Sequence, residues 1–203
     1  MQKLLFILVT TGELAVRVHA QQILLDNSVN YNPSTAATSS GLVWLYNGST
    51  YSLFDGFNFD LGITVLAGPT QSSLSDLGTY YPGDSYGTVS TGIDMGRFLQ
   101  LPSLILNIPG VVNAGSAWVK LEAWTFNSPG SDGATTYAAA ISGGHDYVGT
   151  VLFQNPTGGN TNPPLPAQEL TGMLAFILYI PEPSTFALAG LGLTSLWILR
   201  RHK

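Results

Sequence analysis

The chain has no cysteine, so disulfides and thiolate chemistry are excluded and a fold has to be held together by its core. Charge is also scarce: Asp, Glu, Lys and Arg make up 9% of the 203 residues. Between residues 21 and 179 the only cations are Arg97 and Lys120, against ten carboxylates: Asp26, Asp55, Asp60, Asp76, Asp84, Asp94, Glu122, Asp132, Asp146 and Glu169. That balance argues against nucleic acid as a partner, because phosphate binding needs a cationic surface. The same stretch holds a single histidine, His145, in Gly143-Gly144-His145-Asp146. One histidine cannot supply a zinc site. No Gly-x-Ser-x-Gly elbow is present, and a His-Asp pair in a Gly-rich turn reads as an exposed loop pair, so no catalytic residue is assigned. Carboxylates paired for glycoside hydrolysis would meet in space and leave no sequence signature. Calcium is the one metal that loop aspartates would suit, but the Asp-x-Asp-x-Asp-Gly spacing is missing; no metal and no cofactor is expected.

What is present is glycine, proline and hydroxyl or amide side chains: 23 Gly and 12 Pro, with many Ser, Thr and Asn. Polarity from such groups rather than from charge fits an extracellular β-protein better than a cytosolic enzyme. Strands are expected over 23–26, 42–46, 58–67, 104–108, 116–126, 135–141, 147–153 and 173–180, with a further short one near 88–91. Asn47-Gly48, Asp55-Gly56 and Pro109-Gly110 mark turns. Residues 73–77 read as one helical turn and 78–94 as a long surface loop. The stretch 154–172, rich in Pro, Asn and Thr, has the composition of a linker. A long loop is preferred there, because 173–180 is almost entirely apolar and asks for burial on both faces, as a central sandwich strand would provide. The expected fold is mainly β, a single antiparallel β-sandwich over 21–180.

The clearest periodicity lies in 116–126. Ala117, Val119, Leu121, Ala123 and Thr125 alternate with Trp118, Lys120, Glu122, Trp124 and Phe126, so the small aliphatic set should face the core. Trp118 and Trp124 then flank Lys120 and Glu122 on the opposite face. Two readings stand: the indoles stack on sugar rings of an extracellular polysaccharide, or they are packed beneath a neighbouring loop or strand pair, since Trp buries a large area wherever it can.

The last part of the chain is the most specific. Pro181 and Pro183 each lack an amide donor and stop whatever precedes them; Ser184 or Thr185 can cap a helix that follows. The uncharged run 186–199 opens on Phe186, closes on Leu199 and is followed by Arg200 and Arg201. From 184 to 199 a helix would be about 24 Å long, against roughly 30 Å of bilayer hydrocarbon. It reads either as a buried core helix or as a membrane helix with its arginines at the cytoplasmic face.

Pro181-Glu182-Pro183-Ser184-Thr185, a Gly-containing apolar helix and a terminal Arg-Arg, in that order, resemble the PEP-CTERM sorting tail of bacterial exported proteins. The resemblance covers 181–203 and concerns address rather than activity. It implies export, transient anchoring in the inner membrane by the apolar helix, and processing near Pro-Glu-Pro by an exosortase-type membrane protease, with the cell surface or the extracellular space as the final location. More diffusely, Leu66-Ala67-Gly68-Pro69-Thr70, 119–124 and Thr136-Tyr137-Ala138-Ala139-Ala140 resemble the Gly-rich ectodomains of proteins that carry the same tail, a group without assigned chemistry. Export calls for a signal at the other end. Lys3 supplies a positive region, 4–9 an apolar run, and Val18-His19-Ala20 a small-residue cleavage site, while Glu13 and Arg17 fit poorly; the alternative for 1–20 is an amphipathic helix of the domain. The sequence thus divides into a signal segment, 1–20, an ectodomain, 21–180, and a sorting tail with one transmembrane helix, 181–203. The function expected is that of a non-enzymatic surface or matrix protein, or of a polysaccharide-binding module built on Trp118 and Trp124.

Overall fold

The computed structural model describes residues 21–27, 41–54, 60–81, 96–98, 104–111, 115–126, 133–159 and 165–181. Among these residues nine strands and one helix follow in chain order: β1 (Gln21–Leu24), β2 (Val43–Tyr46), β3 (Tyr51–Leu53), β4 (Asp60–Gly68), β5 (Ser75–Tyr80), β6 (Ile105–Ile108), β7 (Ser116–Phe126), α1 (Tyr137–Gly143), β8 (Val148–Pro156) and β9 (Phe176–Tyr179). Seven strands form one sheet in the order β3-β2-β9-β8-β7-β4-β5, and β1 and β6 form a separate two-stranded ribbon.

The longest strand of the sheet is β7, between β8 and β4. Its Ala117, Val119, Leu121, Ala123 and Thr125 are all buried, as the alternation requires. The matching residues of β4 and β8, Leu61, Ile63, Val65 and Ala67 on one side and Val151 and Phe153 on the other, lie on the same face. Val43 and Leu45 of β2 and Phe176 and Leu178 of β9 extend that apolar face across the sheet. Against it lie Ile23 and Leu25 from the first segment, Leu106 and Ile108 of β6, and Phe54, Phe98, Leu170 and Met173 from connecting segments.

Buried amides tie these segments to the sheet. Asn27 Nδ2 donates to the carbonyls of Gly41 and Gly96 at 2.7 and 3.0 Å, and its Oδ1 accepts from the Phe98 amide at 2.6 Å. Asn155 does the same for the last long connection, donating to the carbonyls of Pro156 and Glu169 while accepting from the Gly172 amide. The stretch 165–173 is therefore part of the domain rather than a linker, and it delivers Leu170 and Met173 to the core.

Several expectations are corrected. The molecule is mainly β, but its layers are a seven-stranded sheet and a two-stranded ribbon, and the sheet is mixed because β2 and β9 run parallel. Residues 137–143 are helical, not extended: Thr136 Oγ1 accepts from the Ala139 amide as the N-cap, and Gly144, at φ 74°, closes the helix in the left-handed conformation. Residues 75–80 are an edge strand, not a helical turn. β9 buries only Phe176 and Leu178, leaving Ile177 and Tyr179 exposed, so it is a one-sided strand. β3, just after the Asn47-Gly48 turn, was not expected. The segments expected as signal peptide, as a strand near 88–91 and as a transmembrane helix lie outside the described residues. Among the described residues no helix is long and apolar enough to cross a membrane.

Candidate functional site

β9 leads directly into the sorting motif. After Tyr179 come Ile180 and Pro181; Glu182, Pro183, Ser184, Thr185, the run from Phe186 to Leu199, Arg200 and Arg201 lie outside the described residues. Pro181 ends the strand for the reason given above, the missing amide donor. At this end of the sheet the chain passes beside the C-cap of α1, where a Cβ on Gly144 would stand 4.0 Å from the Pro181 carbonyl oxygen.

The two tryptophans of β7 do not form a platform. Trp124 is completely buried: its ring lies over Gly62 of β4, beside Ala134, Ala140 and Val148, and Nε1 donates to the Ala134 carbonyl at 2.9 Å. Phe126 and Tyr137 flank this second apolar cluster, and Tyr81 meets Trp124 and Phe126 edge-on at 6.2 and 5.3 Å. α1 covers Trp124, so no sugar ring can stack on it, and the expectation that Trp118 and Trp124 act together is corrected. Trp118 alone stays half-buried. Between them Lys120 Nζ and Glu122 Oε1 form an ion pair at 2.7 Å, which neutralises this part of the face.

The aromatic surface that is open lies three strands away and escaped the sequence reading. On the outer face of β2, Trp44 stands opposite Leu53 of β3 and Ile177 of β9, and Tyr46 opposite Tyr51 and Tyr179. Tyr46 and Tyr51 stack with centroids 4.5 Å apart at 27°, and the Tyr46 hydroxyl donates to the Gly48 carbonyl at 2.8 Å. Tyr51, Tyr179 and Ile177 are 59%, 49% and 42% exposed. An open cavity of about 220 Å³ lies between Trp44, Tyr51, Ala175 and Ile177. The register carries one row across the face: Tyr51, Tyr46, Tyr179, Val148, Trp124 and Gly62. β2, β3, β8 and β9 contain no charged residue. Tyr137 reaches the same row from α1; burial pushes its phenol up from the ordinary value, and the neighbouring Tyr179 and Glu122 push it the same way. The signal in the sequence was Trp44 and Tyr46 at alternate positions of one strand and Tyr179 at the end of another, hidden because the flanking residues are apolar as well.

His145 is exposed and Asp146, its neighbour, is buried with neither carboxylate oxygen hydrogen-bonded, so the two do not form a dyad. Among the described residues no three His, Asp or Glu side chains are grouped to hold a metal ion.

No curated protein and no solved structure matches the chain. One protein-family model does, over residues 180–202, and its description is PEP-CTERM protein-sorting motif. The match begins at Ile180, one residue past β9, so the last described strand runs directly into the motif. The chain carries a PEP-CTERM protein-sorting motif, which implies an exported protein, held transiently in the membrane and processed by an exosortase.

Proposed function

We propose that the chain is a non-enzymatic protein of the cell surface or extracellular matrix, delivered by exosortase processing of a membrane-anchored precursor, with 1–20 as its export signal and 21–180 as the delivered domain. The observation that carries this reading is the sorting motif at 180–202, which follows β9 without a spacer. A helix over 186–199, with Arg200 and Arg201 on the cytoplasmic side, agrees with the positive-inside rule and leaves Pro-Glu-Pro on the outer side of the membrane, where a sorting protease can reach it. What supports a passive role is the chemistry of the domain: few charges, many hydroxyl and amide side chains, and an exposed His145 beside a buried Asp146. Trp118 and Trp124 cannot serve together as a polysaccharide platform, because Trp124 is enclosed.

The test replaces Pro181, Glu182 and Pro183 with alanine in the native host and follows the protein by mass and by cell fraction. Full-length protein should accumulate in the inner membrane. Processing and delivery equal to that of the unaltered chain would overturn the sorting reading.

A further inference from the structure

We propose that the outer face of β3, β2 and β9 is a lipid-facing surface, and that the domain lies with this face against the bilayer while its tail is anchored. The inference rests on the sorting reading above. It begins from the place where the chain leaves the fold. Tyr179 is the last residue of β9, and Tyr46 and Tyr51 are its neighbours in the same row. From Pro181 to Phe186 there are five peptide steps, which span at most about 18 Å even when fully extended. The tyrosine row is therefore held close to the membrane surface whenever 186–199 is in the bilayer.

The face has the composition of a membrane interface. Tyr and Trp concentrate at the boundary between headgroups and hydrocarbon, where the ring is buried and the polar tip stays wet. Tyr51, Tyr46, Tyr179 and Trp44 are grouped here, with Ile177 exposed among them. No charged side chain in β2, β3, β8 or β9 would have to be desolvated. Among the described residues the cavity is lined by Trp44, Tyr51, Ala175 and Ile177, a mainly apolar set; an acyl chain suits it better than a glycan. An exposed apolar surface of this kind on a monomer marks an interaction site. Charge does not supply the attraction: between 21 and 179 there are two cations and ten carboxylates, so the domain would be repelled by an anionic leaflet. Docking should therefore be insensitive to added salt or strengthened by it, unlike the docking of a polybasic segment.

The absence of cysteine makes the test direct, since one introduced thiol can be labelled alone. The purified full chain is reconstituted into phosphatidylethanolamine–phosphatidylglycerol vesicles and labelled with a polarity-sensitive fluorophore at Leu193→Cys in the tail, at Ile177→Cys on the face, or at Ser72→Cys in the β4–β5 hairpin. Lipid-borne quenchers should remove most of the emission from Leu193→Cys and Ile177→Cys and little from Ser72→Cys, at low and high salt alike. Quenching at Leu193→Cys with Ile177→Cys left bright and solvated overturns the docking and leaves the anchor intact. An Ile177→Cys label that is shielded from water but not quenched by lipid shows that the face is covered by protein, a second copy or the tail itself, and overturns it too. Restoration of solvation at Ile177→Cys by removal of copurified polysaccharide would assign the face to glycan instead and likewise overturns it. No quenching at Leu193→Cys defeats the anchoring reading and with it the docking.

Discussion

At Gly62 a missing side chain makes room for a large one. A Cβ there would stand 2.5 Å from Cε2 and Cζ2 of Trp124, the residue opposite it on β7, so the indole rests on bare backbone. Gly62→Ala should lift the ring from its site beneath α1 and cost about 1–3 kcal/mol, the usual penalty for overpacking. In a Trp124→Leu background the same change should cost markedly less, and urea titration of the four chains measures the difference. Equal costs in the two backgrounds would show that Trp124 does not depend on that space. The sequence made half of this legible. Alternation in 116–126 puts Trp124 on the face opposite the small aliphatics, and that is where it lies. What alternation cannot report is the third dimension: a helix more than ten residues downstream closes over the ring, and the glycine that admits it sits more than sixty residues upstream.

Among the elements, the readable one was the strand whose two faces differ in residue type. β7 follows a strict period of two because every second residue must be apolar. α1 misled because Ala138, Ala139, Ala140 and Ile141 form a short apolar run that suits strand or helix; the informative residues were the caps, Thr136 and Gly144. β9 misled in the opposite sense, since exposed Ile177 and Tyr179 look like core when read beside Phe176 and Leu178. β5 was missed because 73–77 read as one helical turn and 78–94 as a surface loop; it is an edge strand, and its stability has a pH signature. The Tyr80 phenol is pushed up from 10.0, first by burial and second by the charge of Asp76, and Tyr137 is raised for similar reasons. A raised phenol contributes stability that is complete below the unfolded value near pH 10 and is lost as pH rises through the folded one. The urea midpoint should therefore hold from neutrality to about pH 9 and fall above about pH 10. Tyr80→Phe should flatten part of that fall while costing about 0.5–1.5 kcal/mol at neutral pH, because the hydroxyl also donates to the Leu77 carbonyl. An alkaline limb unchanged in Tyr80→Phe would place the sensitivity elsewhere.

For the whole molecule, the closing of the core decides how it should unfold. Ile23 and Leu25 from the start of the domain, Phe98 from its middle and Leu170 and Met173 from near its end all enter the same apolar cluster as β4, β7 and β8. Asn27 and Asn155 fasten those segments with hydrogen bonds across 71 and 17 residues of sequence. Removing any one segment uncovers the sheet, so the parts have little stability apart from one another, and a fragment of residues 21–180 should unfold in a single cooperative transition. Reductant should leave the midpoint unchanged, since there is no disulfide to open. Asp146 is where dependence on a cation would enter, because its carboxylate is buried and makes no hydrogen bond within the protein. With no cation bound there, Asp146→Asn removes a buried carboxylate that makes no hydrogen bond and should raise the midpoint. Chelator should then have no effect on either chain. A midpoint that falls with chelator in the unaltered fragment but not in Asp146→Asn would mean that a bound cation holds this corner of the fold, and that the domain is stabilised by more than its core.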